Sequence, residues 1–362
     1  MTDGHVGAVG SPVVEIRSAT LADAEAIRQI YNVEVETSTV TLDLVPRTLE
    51  QQQDYLARRN GTYAVLVATV AGAQHFMVGA GKCADCHKAE TAVWEASKHA
   101  ASFKDIHRKP EVKDIIAAVG GNTNMRRNEV CTACHFSSTQ ASASAAPSAT
   151  SGPSCESCHG KASAWLTMHN DYGAGAKRET ESPTHKADRI RKSAAAGMIW
   201  PSNLYDVAEN CLSCHGMGRA DVPAETIAKM VAAGHPAGSS FELVRYSQGT
   251  VRHRFYPPDV TKNAQMSVAE LSRVFLTGHA AAFVQTSAAT GKSTNPKFQQ
   301  TLDQIKSAAR AAIDGVKGQV PEAAALLARP TEDNAKKFVD ALASKDLSAQ
   351  VGPKLPAPST YK

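Results

Sequence analysis

Cys83-Ala84-Asp85-Cys86-His87, Cys131-Thr132-Ala133-Cys134-His135, Cys155-Glu156-Ser157-Cys158-His159 and Cys211-Leu212-Ser213-Cys214-His215 repeat one pattern, C-x-x-C-H. Together they use all eight cysteines of the 362-residue chain. Cysteines three apart lie on one side of a helical turn, so both thiols reach the two vinyl groups of one porphyrin while the adjoining histidine faces its iron. The pattern reads as covalent c-type haem attachment. Cys83, Cys86, Cys131, Cys134, Cys155, Cys158, Cys211 and Cys214 are then the anchors of four haems, and His87, His135, His159 and His215 the proximal ligands. Cysteine pairs at this spacing also build zinc sites and thioredoxin-like redox centres. A zinc or disulfide reading, however, leaves the histidine after every second cysteine without a role.

Composition bounds the rest. The length leaves room for two or three domains, and no apolar run approaches a membrane-spanning helix. The haem-bearing half is thin in large aliphatics and rich in Ala, Ser, Gly and Lys. Porphyrin is expected to supply the missing apolar surface, so this half should fold only when loaded. The formal charge of +4 is offset once the propionates and ferric irons of four oxidised haems are added. It therefore points to neither nucleic acid nor a membrane surface as partner.

The first seventy residues read as a small α/β unit. Val13 to Arg17 has the look of a strand, Thr20 of a helix N-cap, and Leu21 to Asn32 places Leu21, Ala24, Ile27 and Tyr31 at helical spacing. A second helix is expected from Thr48 to Arg59 and a strand from Tyr63 to Val70. The stretch "IRSATLADAEAIRQIYNVEVETSTVTLDLVPRTLEQ" resembles the opening of the phosphinothricin-type GNAT acetyltransferases. That family needs a later glycine-rich loop to cradle the pyrophosphate of acetyl-CoA. Here the haem motifs begin instead, and Gly79 and Gly81 read as linker glycines, so N-acetyltransferase activity is not expected. The same region has a second reading. Arg58 and Arg59, the apolar run and Ala71-Gly72-Ala73 have the order of an export signal, though far from Met1. Bacterial c-type haem is attached outside the cytoplasm, which favours a periplasmic or otherwise extracytoplasmic protein.

The segment "KCADCHKAETAVWEASKHAASF" and the "SCESCHG" of the third motif resemble the tetrahaem cytochrome c-554 family, over about Gly79 to Tyr256. The best-known members of that family carry electrons away from hydroxylamine oxidoreductase. The resemblance implies a multihaem c-type cytochrome domain. It also implies distal ligands at His99, which follows Trp94 closely, and at His169 in "LTMHNDYG". It further suggests that the haem of Cys131, Cys134 and His135 lacks a distal ligand.

A second histidine gives a saturated, electron-transferring iron, and an empty position admits substrate. Of thirteen histidines, nine remain after the proximal four. His235 and His253 follow the last motif, where at least one ligand should arise. His279 reads as a helix residue, His107 and His185 as solvated, and His5 and His75 as outside the domain. Met168 and Met217 compete as ligands but read as gap fillers. Arg126, Arg127, Arg252 and Arg254 are candidates for propionate pairing, with solvated arginines the alternative.

"FSSTQASASAAPSATSGPS", between the second and third motifs, reads as a flexible, functionally silent surface loop. Beyond Tyr256, helical periodicity runs from Ser267 to Ser287, Pro296 to Val316, Glu322 to Leu327 and Glu332 to Leu342.

The expected fold is mainly α with little regular sheet. Residues 1–75 form a truncated acetyltransferase-like segment or export leader, 76–262 a tetrahaem cytochrome domain, and 263–362 an α-helical extension on which copies of the chain could pair. The expected function is electron transport between a redox protein donor and acceptor through four covalent haems. The competing function is a haem enzyme acting on a small nitrogen or sulfur compound at a five-coordinate iron.

Overall fold

The computed structural model describes residues 14–37, 41, 43–59, 64–70, 75–219, 221–236, 238, 241–257 and 259–362. The chain divides into two units, residues 1–74 and 75–362, and the described residues are mainly helical with two small sheets.

In the first unit, β1 (Val14–Ser18) and β2 (Leu66–Val70) pair antiparallel, with Val14 opposite Val70 and Ser18 opposite Leu66. Between them lie α1 (Ala24–Thr37) and α2 (Leu49–Ala57). Thr48 caps α2 with a capping box, its hydroxyl accepting from the Gln51 amide at 3.2 Å while the Gln51 side chain accepts from the Thr48 amide at 2.8 Å. Asn32 ties α1 to the connecting loop through reciprocal bonds with the Arg47 backbone, 2.9 and 2.8 Å. Tyr63 and the Ala71-Gly72-Ala73 of the export reading lie outside the described residues.

The second unit begins with short helices around the first motif: α3 (Gly81–Ala84), α4 (Lys88–Glu95), α5 (Lys98–Asp105) and α6 (Val112–Val119). Then come α7 (Glu129–His135), the hairpin of β3 (Ser137–Thr139) and β4 (Ser148–Ser151), α8 (Cys155–His159) and α9 (Pro183–Ala195). After these follow α10 (Leu204–His215), α11 (Ala224–Ala232) and α12 (Leu243–Ser247). The C-terminal part is α13 (Val268–Ala289), α14 (Pro296–Asp314), α15 (Glu322–Ala328), α16 (Glu332–Leu342) and α17 (Ser348–Val351).

The Ser/Ala/Pro stretch is not a featureless loop. It forms the β3–β4 hairpin, and Ser137 is buried, its hydroxyl bonded to those of Ser154 at 2.9 Å and Ser157 at 2.8 Å beside the third motif. Polar composition pointed to solvent, but three small hydroxyls that satisfy one another can be buried without an unpaired donor.

Apolar packing is uneven. The main core is built by α10 and α12 to α17, around Phe283, Ile313, Leu326, Phe338 and Leu342. A second cluster joins Met217, Ile227, Val231, Phe298 and Leu302. Upstream, the third cluster holds only Ile116, Met125, Cys131 and Phe136 at its centre. Most of the motif-bearing segment therefore lacks an aliphatic core of its own.

Candidate haem sites

Three of the four motifs form the last turn of a helix that ends on the histidine: α7, α8 and α10. The first sits in the short α3 and the turn after it. None of the eight cysteines is in a disulfide. Burial pushes the thiol of Cys131 up to about 11, so it is neutral at neutral pH. The thiols of Cys83 and Cys155 lie close enough to perturb each other's ionisation, as do those of Cys134 and Cys214. The first and third motifs are thus neighbours, as are the second and fourth. The third and fourth are joined by Asn210 of α10, whose amide donates to the carbonyls of Ser157 at 2.8 Å and Cys158 at 3.0 Å.

Every motif histidine is faced by one other histidine. Ring centres lie 6.3 Å apart for His87 and His169, 5.9 Å for His99 and His215, 5.9 Å for His135 and His235, and 6.1 Å for His159 and His253. Two imidazoles bound on opposite sides of one metal, each through a bond of about 2 Å, have centres roughly 6 to 6.5 Å apart. The pairing crosses the chain: His99, close after the first motif, faces the histidine of the fourth, and His169 reaches back to the first.

The local chemistry of these rings suits metal ligation. Burial lowers His99, His159, His169 and His235 from the usual imidazole range and pushes His135 and His215 down to about 4. They are neutral at neutral pH, the form that donates a lone pair. Nδ1 of His159 bonds the Ile199 carbonyl at 3.0 Å, Nδ1 of His169 that of Leu166 at 2.7 Å, and Nδ1 of His253 that of Val251 at 2.6 Å. A carbonyl only accepts, so Nδ1 carries the proton in each and Nε2 keeps its lone pair.

A haem also brings carboxylates, and the site has donors waiting for them. Nε of Arg126, Arg245 and Arg252 and both Nε and Nη1 of Arg254 are buried with no hydrogen-bond partner among the described residues. Buried guanidinium donors left unpaired are costly, and propionates would satisfy them in the fork geometry arginine prefers. Arg245 was not among the arginines singled out from sequence, and Arg127 is exposed.

The remaining candidates fall elsewhere. His279 packs edge-on against Phe275, centres 4.4 Å apart, and His185 bonds Glu181 at 2.8 Å. Met217 is fully buried in an apolar cluster.

Several supporting residues carry no motif signal. Glu156, inside the third motif and 1% exposed, accepts from the amides of Val78 (2.9 Å), Gly79 (2.7 Å) and Ala162 (2.7 Å). It thereby sews the approach to the first motif onto the third. Gly79 is no plain linker: its φ is +99°, a conformation glycine adopts without strain. Trp94 donates to the Pro153 carbonyl at 2.8 Å, and at Gly152 any Cβ would strike the carbonyl of His99. Gln285 of α13 clamps the end of the fourth motif, accepting from the Met217 amide at 3.0 Å and donating to the carbonyls of Leu212 at 3.1 Å and Gly218 at 2.6 Å. The His215 ring stacks on Phe241 with centres 5.0 Å apart and 12° between planes.

No helix among the described residues is long and apolar enough to cross a membrane. Comparison with curated proteins and with solved structures gives no match. Residues 82–160 match the family described as cytochrome c554 and c-prime, a stretch that holds the first three motifs and leaves out the first unit. That match, on a chain with these motifs, supports reading it as a c-type cytochrome, an electron carrier with covalently bound haem.

Proposed function

We propose that the chain is an extracytoplasmic tetrahaem electron carrier working between a redox protein donor and acceptor. In this reading each C-x-x-C-H motif anchors one haem, and the axial pairs are His87 with His169, His135 with His235, His159 with His253, and His215 with His99. The observation that carries it is that four histidine pairs, each containing one motif histidine, stand 5.9–6.3 Å apart. The bound haem supplies one-electron chemistry, and the polypeptide's part is to fix ligands, spacing and exposure. The closeness of thiols in the first and third motifs and in the second and fourth favours short distances between neighbouring centres.

The enzyme reading required an open iron at the second motif. His235 opposite His135 argues for a saturated one. The extracytoplasmic assignment rests on where covalent haem attachment takes place, and pairing of copies would fall to the C-terminal helices.

The test joins intact mass with paramagnetic resonance on natively purified protein. Four covalent haems, four low-spin ferric signals and no response to nitric oxide are expected. His235→Ala should turn one signal high-spin and make that centre bind the gas. Fewer than four haems, or a high-spin centre in the unaltered protein, would reject the proposal.

A further inference from the structure

Helix α9 and the segment after it touch His169 and His159, which belong to two different histidine pairs. Arg189 sits in this helix with 8% of its side chain exposed, and the Glu181 carboxylate that grips it has 2%. The grip is bidentate, Nε to Oε1 at 2.7 Å and Nη2 to Oε2 at 2.6 Å. The third guanidinium nitrogen, Nη1, donates to the backbone carbonyl of His169 at 2.5 Å. The guanidinium also lies 4.9 Å from the Tyr172 ring centre and 5.7 Å from that of Trp200. All three arms of Arg189 are therefore committed.

The second connection runs through the backbone. Ser193 donates to the Arg189 carbonyl at 2.7 Å and accepts from Trp200 Nε1 at 3.0 Å. Trp200 follows Ile199, whose amide donates to the His159 carbonyl at 2.9 Å and whose carbonyl accepts the His159 Nδ1 proton at 3.0 Å. The fit is close: Gly197 leaves α9 at φ +93°, and a Cβ on Gly160 would strike the Gly197 carbonyl. One network thus reaches His169, which faces His87, and His159, which faces His253.

We infer that Arg189, held by Glu181, is a positioning residue for the axial ligands of the first and third haem sites at once, directly at His169 and, through the Trp200 ring that its guanidinium faces and the adjoining Ile199, at His159. The inference rests on the axial pairs proposed above. Its physical content is that ligand orientation and the hydrogen bond behind an imidazole tune the metal it binds. Disturbing α9 should move two of the four centres, because those two share the support. The other two ligand pairs are held by α5, α7, α10 and the segment after α11.

The double variant Glu181→Gln with Arg189→Met removes both charges together, so no uncompensated charge stays buried. Arg189→Lys is the conservative companion: it keeps the charge and loses the fork that holds Glu181 and the His169 carbonyl together. Each variant is purified with its haems, counted by mass, and followed by potentiometric titration and paramagnetic resonance. The expected result in both is a shift of two of the four low-spin signals and of their midpoint potentials, with the other two unchanged. Four unchanged signals, or four that shift together along with the melting temperature, would overturn it, since a purely structural ion pair acts on the whole unit. If the unaltered protein lacks four bis-histidine centres, the haem reading fails instead, and the unaltered control reveals that separately.

Discussion

A single carboxylate illustrates how the sites depend on residues outside the motif pattern. Glu156 occupies a variable position of C-x-x-C-H, yet it accepts three backbone N–H bonds in a buried setting. Hydrogen bonds to a charged group contribute roughly 1.5–3 kcal/mol each, and a buried donor left unpaired costs about 1–3 kcal/mol. Glu156→Gln keeps the shape but turns one acceptor into a donor, which must face an N–H. Denaturant unfolding of the haem-loaded variant should show a loss of about 2–3 kcal/mol with haem content unchanged. A loss near zero would mean that the loop at Val78 and Gly79 is held by other contacts. The histidines work by the same logic at close range: a carbonyl behind Nδ1 fixes the tautomer of His159, His169 and His253.

Elements are fastened by carboxylates whose ionised form is favoured, and this makes them acid-sensitive. The hydrogen bonds and charge of Arg189 and the His185 contact hold Glu181 at about 2, well below the usual 4.5. Burial would raise Glu270, but Arg254 and the Ser267 cap outweigh it and hold that carboxyl also at about 2. Glu181 fixes α9, and Glu270 completes the capping box at the start of α13 while pairing with Arg254 at 2.8 Å. A carboxyl with a depressed folded pKa stabilises the fold above its unfolded value and loses that contribution as pH falls through its folded value. Stability contributed by these two should therefore be full above pH 4.5 and drain away between about pH 4.5 and 2. In acid titrations followed by circular dichroism, Glu270→Gln should be less stable at neutral pH and show a shallower loss through that window. An unchanged acid profile would rule out the Glu270 pair as a fastening.

At the level of the whole molecule, the two kinds of core imply two kinds of dependence on cofactor. Helices α13 to α16 bury Phe283, Phe338, Leu326 and Leu342 completely or nearly so, enough apolar surface to hold without haem. The stretch from His75 to Trp200 buries few large apolar side chains, and unpaired arginine and histidine donors occur in it and in the segment up to Arg254. A chain with all eight motif cysteines changed to alanine should therefore keep amide-exchange protection in α13, α14 and α16 and lose it from α3 to α9. Uniform protection along residues 75–362 would show that porphyrin is not the apolar filling of the upstream part.

The eight thiols, the four motif histidines and the helices after residue 266 were legible in the sequence because they depend on local spacing. C-x-x-C-H is a one-turn pattern, and the later helices carry apolar residues at helical spacing, with Ser267, Asn295 and Thr331 capping three of them in the structure. His99 and His169 were marked by family resemblance, and His235 and His253 by their place after the last motif, but which ring faces which was not accessible. The partners in the four pairs are separated by 82 to 116 residues, and no periodicity spans such a gap. Glu156, Arg189 and Gln285 were silent for the same reason, since they act on backbone groups of distant segments, at Val78 and Gly79, at His169 and at Leu212 and Met217, that only folding brings near. Local rules decide what a short segment is; the identity of its neighbour is settled by tertiary packing, which brings distant segments together to satisfy buried polar groups and fill space.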